Sequence, residues 1–131
     1  MSRAILAIAL TWLVFLVVPF PFYGLLALAT DMQPPSDGSP LVFLTSVLIQ
    51  KFGHAIAFVL LFRLASEAMR RHWLVYAFLW WVAFALDEIG QALGWSSYSW
   101  PEAAAGVLSE SAYFPLAAWI TRLLTSGRLV D

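Results

Sequence analysis

The chain contains no cysteine and little charge: only 11% of its 131 residues are Asp, Glu, Lys or Arg. The lack of cysteine excludes disulfides, thiol redox chemistry and thiolate metal sites. Soluble domains carry about 25% charged residues, so this low charge, together with 62% hydrophobic residues, excludes a soluble domain. A formal net charge of -1 provides no basic surface for nucleic acid. The composition therefore predicts an integral membrane protein.

Four apolar segments are long enough to cross a bilayer as helices, which takes about 20 residues each. We place these spans at about residues 4–20, 52–68, 73–93 and 103–121. Pro19 and Pro21 are expected to bend or end the first of them. The sequence thus predicts a single all-α domain over residues 1–131, folded as a four-helix transmembrane bundle.

Two stretches leave the limits of these spans open. The sequence ALA at residues 27–29 fits the small-x-small pattern of a signal cleavage site, although the apolar run is longer than the core of a signal peptide. Residues 31–40, DMQPPSDGSP, are too polar and too rich in helix breakers to lie in hydrocarbon. The apolar residues 41–49 then form either an interfacial helix or an early extension of the second span.

The basic residues orient the predicted bundle. Five of the seven lie in segments that share one side of a four-span protein: Arg3, Arg70, Arg71, Arg122 and Arg128. Because basic residues concentrate in cytoplasmic segments, we expect both the N-terminus and the C-terminus in the cytoplasm. Arg63 falls inside its predicted span, so its side chain must snorkel to the interface or pair inside the bundle.

The predicted topology brings polar residues to one depth, near the outer ends of the spans. Lys51 and His54 lie three positions apart at the start of the second span, so they share a helix face. Glu88 and Gln91 have the same spacing near the end of the third span. Glu102, at the start of the fourth, can complete a pocket. Ionisable residues at membrane depth cost about 2.5 to 3.5 kcal/mol each, and they mark functional sites.

Asp87, Trp100 and Glu110 are secondary candidates for this site. Asp87 is rotated by about 100° from Glu88 around the helix axis. Glu110 lies roughly two turns inside the fourth span, on nearly the same face as Glu102, and would deepen the pocket. Trp100 lies just before the fourth span, although tryptophans in membrane proteins more commonly form interfacial belts.

Three short stretches carry a resemblance to a known family: KFGHAIAF at 51–58, EIGQ at 88–91 and SYSWPE at 97–102. In order, spacing and topology they resemble the signature stretches of the VanZ-like family of small bacterial membrane proteins, over about residues 50–120. The chain departs from the family pattern at several positions, including an asparagine and a glycine of that pattern, which fall near Gly106 and Ser109. Gln50 and Ser96 replace an acid and an arginine, and Glu102 replaces an aspartate. The resemblance therefore implies a divergent member.

The family is named for a protein that lowers sensitivity to the glycopeptide antibiotic teicoplanin. The resemblance thus implies a role in the cell envelope, and a multi-pass location in the bacterial inner membrane, rather than a defined reaction. It also implies a site formed by Lys51, His54, Glu88, Gln91 and Glu102, with Ser97 and Trp100 at its mouth.

Two functions of different classes fit these observations. In the first, the pocket binds or handles an envelope lipid or amphiphile. Lys51 and His54 would contact an anionic headgroup, while carboxylates hold them in position or shuttle protons. In the second, the protein is an accessory or structural subunit of a larger membrane complex, and its polar residues form a structural network. The lipid bilayer is a partner in both.

The residue types leave the chemistry of the site open. Glu88 and Glu102 could serve as general acid and base, but a structural network is favoured over catalysis, so we do not expect an enzyme. His54 with carboxylates could bind zinc or manganese, yet no diagnostic spacing such as H-E-x-x-H is present. We therefore predict no metal site. His54 or His72 could ligate a haem, and the sequence identifies no cofactor.

Overall fold

The computed structural model describes residues 2–30, 32 and 39–125, and these residues form helices and short connections without any strand. The helices in this part of the chain are α1 (Arg3–Val17), α2 (Pro19–Ala29), α3 (Pro40–Leu64), α4 (Glu67–Arg71), α5 (Trp73–Gly94) and α6 (Trp100–Thr125). The prediction of an all-α protein is confirmed.

Three helical stretches are long and apolar enough to cross a membrane: Arg3–Ala29, which joins α1 and α2, and the helices α3 and α5. Many of their large apolar side chains face outward; Leu28 is 88% exposed and Leu64 is 82% exposed. An apolar surface of this extent is stable against lipid and unstable against water. These helices therefore support a membrane protein.

Helix α6 corresponds to the fourth predicted span, and it is the most buried helix of the structure. Ten of its residues are buried, many of them small, and it packs against α1, α2 and α5. Small residues let helix backbones approach closely, which is how helices associate in lipid. Because α6 also carries Ser109, Glu110 and Ser111, it does not reach the apolarity of the other three stretches. A fourth span remains a prediction.

Pro19, the first of the two prolines expected to bend or end the first span, lies at the junction of α1 and α2. Val18 has helical backbone angles, and Pro19 occupies the start of α2, where the missing proline N–H is not needed. Pro21 lies within the first turn of α2. The backbone therefore stays helical from Arg3 to Ala29, while the prolines remove backbone N–H donors at the junction of the two helices.

Helix α3 begins at Pro40, whereas the predicted second span begins at residue 52. Ser39 caps this start, because its hydroxyl accepts the N–H of Leu41 at 3.3 Å. Of the two alternatives for residues 41–49, the structure thus shows the early extension of the second span. As a result, Lys51 lies near the middle of a 25-residue helix and not at its outer end.

Arg63 lies in the last turn of α3, with an exposed side chain. The guanidinium of Arg70 donates to the carbonyl of Arg63 at 3.1 Å and to that of Ala65 at 2.7 Å. These bonds satisfy carbonyls that a helix end otherwise leaves without partners. Arg63 is therefore a cation at a helix C-terminus, where the helix dipole stabilises it, and not a residue inside the bundle.

Three phenylalanines from three helices form the aromatic core: Phe15 of α1, Phe58 of α3 and Phe114 of α6. Phe58 and Phe114 are stacked, with ring centroids 5.8 Å apart, and Phe15 meets both rings edge-on. Tyr76 of α5 joins them by donating its hydroxyl to the carbonyl of Phe58 at 2.5 Å. Offset and edge-to-face ring pairs each add about 0.5 to 1.5 kcal/mol beyond their buried area.

Candidate functional site

Polar side chains from four helices and one loop meet beside the aromatic core. We call this group the polar cluster; its members are Tyr23 of α2, Lys51 of α3, Glu88 of α5, Tyr98 of the loop before α6, and Glu110 and Tyr113 of α6. Along α6 the cluster is followed directly by the aromatic core, because Phe114 comes one turn after Glu110.

Lys51 is the cation of the polar cluster. Its amine lies over the ring of Tyr113, 5.4 Å from the ring centroid, which is a cation–π distance. Glu110 attracts it most strongly, and Glu88 comes next. Within the described residues Lys51 makes no direct salt bridge, so both carboxylates act on it from beyond contact distance.

Glu110 is the most deeply buried acid of the cluster, with 1% of its surface exposed. Its Oε2 atom has no hydrogen-bond partner among the described residues. The charged groups that act on it are Glu88, Lys51 and Asp87. A buried carboxylate oxygen without a donor is costly, so this atom requires an explanation beyond packing.

Glu88 is held between Tyr98 and the backbone of α6. Its Oε2 accepts the hydroxyl of Tyr98, and its carboxyl group lies directly on Gly106, where an added Cβ would be 2.5 Å from Cδ. Burial, and then the hydrogen bond to Glu88, raise the pKa of Tyr98. The phenol therefore stays protonated and able to donate. A glycine at 106 is what permits this close approach.

Tyr23 reaches the cluster from α2. Its hydroxyl interacts with Tyr98 and lies in the field of the Glu88 carboxylate. Helix α2 packs against α6, which brings Tyr23 close to the acids of the cluster.

His54 lies on the same helix as Lys51 but packs against an aromatic ring. Its ring centroid is 4.8 Å from that of Phe84, in an edge-on arrangement. Its Nδ1 atom is buried and lacks a hydrogen-bond partner within the part of the chain that the structure describes. The charged groups that act on it are Lys51 and Asp87. His54 therefore lies at the α3–α5 interface, next to the cluster.

Gln91 and Asp87 lie one turn apart on α5 and bind each other. The Nε2 of Gln91 donates to Oδ2 of Asp87 at 2.9 Å, at an exposed position. Gln91 is thus paired with Asp87, although its spacing predicts a face shared with Glu88. Asp87 still acts electrostatically on Glu88 and Glu110 from the edge of the cluster.

Glu102 caps the start of α6. Its Oε2 accepts the N–H of Ser99 at 2.6 Å and the Ser99 hydroxyl at 2.7 Å, while the Ser99 hydroxyl accepts the N–H of Glu102 at 3.4 Å. This reciprocal pattern is a capping box. Trp100, the first residue of α6, is 56% exposed. Glu102 therefore has a local role at the helix start, and Trp100 is largely exposed.

The structure thus brings Lys51, Glu88 and Glu110 together and places the other candidates around them. It adds three residues that sequence reasoning did not assign to the site: Tyr23, Tyr98 and Tyr113. Two of these carried a signal, because Tyr98 lies within SYSWPE and Tyr113 follows Glu110 at helical spacing. Tyr23 carried none, since it lies beyond the predicted end of the first span, at about residue 20.

The chemistry available to the cluster is hydrogen bonding, charge attraction and contact with aromatic faces. Among the described residues no group of three or more His, Cys, Asp or Glu side chains is placed to hold a metal ion. Beyond the aromatic core, the buried hydroxyls of Thr11 and Thr121 lie 3.4 Å apart. The phenylalanine rings thus lie between these hydroxyls and the polar cluster.

No protein-family model matches the chain, and no curated protein or solved structure matches it either. The resemblance to the VanZ-like family therefore rests on the three short sequence stretches alone.

Proposed function

We propose that this protein is a VanZ-like, multi-pass membrane protein of the bacterial cell envelope that binds the polar headgroup of an envelope lipid or amphiphile at the polar cluster. The observation that carries the proposal is the placement of Lys51 near Glu110 and Glu88 inside an otherwise apolar assembly. Burying ionisable groups is expensive, and buried ion pairs add little stability of their own. A binding role explains why they are kept.

In this proposal α6 is a fourth crossing, and both termini are cytoplasmic. Helices α5 and α6 run antiparallel, because Glu88 lies at Gly106 while Ala77 shares a groove with Ser111 and Pro115. With 26 residues, α6 is about 39 Å long at 1.5 Å per residue. That length exceeds the roughly 30 Å of a bilayer core.

The basic residues are consistent with this orientation. Thr11 contacts Thr121 and Phe15 contacts Phe114, so α1 runs antiparallel to α6 and its start lies toward the end of α6. The end of α6 in turn lies beside the start of α5. The arginines of these segments therefore gather at one end, as the positive-inside rule requires of the cytoplasmic side: Arg3, Arg70, Arg71 and Arg122.

Reporter fusions test the topology. A reporter placed after Asp131 should be active in the cytoplasm, and one inserted within residues 33–39 should be active only outside. An external C-terminus would refute the four-span arrangement.

Native mass spectrometry in a mild detergent tests the binding. The purified chain should retain a lipid from a bacterial lipid extract, and Lys51→Met should lose it. The matched control is Arg63→Met, which removes an exposed cation from the same helix. Equal retention by all three proteins would place the lipid elsewhere and contradict the proposal.

A second function, as accessory subunit of a larger membrane complex, is favoured by a shallow apolar groove between α5 and α6. Its lining is Leu74, Ala77, Phe78, Trp81, Ser111 and Pro115. Small and apolar residues of this kind accept a partner helix in lipid. Obligate co-purification with a larger assembly, and no retained lipid, would favour this function over the first.

A further inference from the structure

Carboxyl groups outnumber basic groups around Glu110. The charged groups that act on it are Glu88 and Asp87 from α5 and Lys51 from α3. The buried Glu110 and the half-buried Glu88 thus face one ammonium, and the exposed Asp87 adds negative charge from the edge of the cluster. In a low-dielectric interior such an excess of one sign requires compensation by positive charge or by protons. The cluster is therefore better suited to a cationic group than to a further anion.

Two buried atoms without hydrogen-bond partners among the described residues also favour a cationic ligand. Glu110 Oε2 is buried and lacks a hydrogen-bond donor among the described residues. A carboxylate oxygen can only accept, so the group that satisfies it must carry N–H or O–H. His54 Nδ1, also buried and without a described partner, accepts in the same way when Nε2 carries the ring proton. Both residues lie within the electrostatic reach of Lys51.

Tyrosine side chains lie beside the acids of the cluster. The face of Tyr113 already attracts the amine of Lys51, which shows that an ammonium fits against the cluster's aromatic surface. Tyr98 donates its only hydroxyl hydrogen to Glu88. Acceptors and aromatic faces are the two surfaces that recognise an ammonium group.

We propose that the polar cluster receives the primary ammonium group of its ligand, as in an ethanolamine headgroup, and not an anionic headgroup as the sequence alone predicts. The inference rests on the proposed function and names its ligand class. Glu110 Oε2 accepts an N–H bond and Glu88 supplies further negative charge, while Lys51 attracts the phosphate of the same headgroup, which is why the lipid is lost in Lys51→Met. A choline headgroup has the same charge but no N–H, so it cannot satisfy that oxygen.

The experiment uses the full chain in nanodiscs of phosphatidylglycerol, phosphatidylcholine or phosphatidylethanolamine mixtures, with bound lipid counted by native mass spectrometry. Phosphatidylethanolamine should be retained at least about tenfold better than either other lipid, as expected for one charge-assisted hydrogen bond. Glu110→Gln should abolish this preference. Glu67→Gln, which removes an exposed carboxylate of α4, should keep it.

A competition experiment on the unaltered protein gives a result that does not depend on whether the variants fold. Soluble ethylammonium should displace the bound lipid at concentrations where tetramethylammonium does not. A preference for phosphatidylglycerol, or equal retention of the ethanolamine and choline lipids, would overturn this inference while leaving the proposed function in place. Retention of no lipid at all would overturn both.

Discussion

The polar cluster and the aromatic core occupy neighbouring turns of the same helices, yet they are built in opposite ways. In the aromatic core every ring is buried against other rings, and the hydroxyl of Tyr76 is paired with a backbone carbonyl. In the polar cluster, Lys51 has no direct salt bridge among the described residues and Glu110 keeps an unpaired oxygen. The core stabilises the fold, whereas the cluster contains ionisable groups whose burial destabilises it. Natural proteins keep such groups mainly at functional sites.

Replacing Phe114 by alanine should have the largest effect on stability, because it removes a fully buried ring that contacts both other rings of the core. Changes of this kind lower the free energy of unfolding by about 3 to 5 kcal/mol. We expect a value near the lower limit, since packing and not water exclusion holds helices together in lipid. Reversible unfolding in detergent measures the loss. Phe78→Ala, at a residue that is 56% exposed, is the control, and equal losses would show that Phe114 does not belong to a core.

Lys51→Met should lower stability by about 3 kcal/mol, because it leaves buried carboxylates without a cation. Protonation of those carboxylates limits the loss. Glu110→Gln should have a smaller effect or stabilise the protein, since it reduces the carboxylate excess. The double variant should then be more stable than Lys51→Met alone and should still fail to retain lipid.

Substitutions in the aromatic core and in the polar cluster should therefore combine differently. Truncations in an aromatic core only remove contacts, whereas one substitution in the polar cluster can offset another. Strictly additive changes in the unfolding free energy of the Lys51 and Glu110 variants would show that the two side chains do not interact. Full lipid retention by the double variant would make the cluster a structural network.

The sequence predicted some helix limits well and others poorly, for physical reasons. The third predicted span, 73–93, agrees with α5 (Trp73–Gly94) because an unbroken apolar run is bounded by His72 and Trp95. The start of α3 differed because Pro40 resembles the end of a loop, although proline is equally suited to the first turn of a helix. The hydrophobic pattern of the neighbouring residues does not distinguish a proline at the end of a loop from one in the first turn of a helix.

The candidate site was predicted in part. Lys51, Glu88 and Glu110 stand out because ionisable residues are rare in apolar helices. Glu102 stood out for the same reason, yet S-x-x-E at residues 99–102 is also the pattern of a capping box, which is the contact observed. The tyrosines were missed because tyrosine is common at membrane interfaces and carries no charge to mark it.

Gly106→Ala should have an intermediate effect, because its new methyl group would lie 2.5 Å from the Glu88 side chain. Either Glu88 leaves its bond with Tyr98 or α6 moves away from α5, at a cost of about 1 to 3 kcal/mol. Gly90→Ala on α5 is the matched control, since no atom lies within 4 Å of an added Cβ there. That variant should be neutral or gain up to about 1 kcal/mol from helix propensity. Equal effects of the two variants would contradict the contact between Glu88 and Gly106.

The smallest effects should come from the start of α6, where the structure and the family resemblance assign Glu102 different roles. If Glu102 acts only in the capping box, Ser99→Ala should lower stability by about 1 kcal/mol. Glu102→Gln should change it by less than about 0.5 kcal/mol, because glutamine can complete the same box. Lipid retention should be unchanged in both variants, since the capping bonds end at Ser99 and involve no member of the polar cluster. Loss of lipid from a stably folded Glu102→Gln protein would show instead that this carboxylate belongs to the binding site, as the sequence predicts.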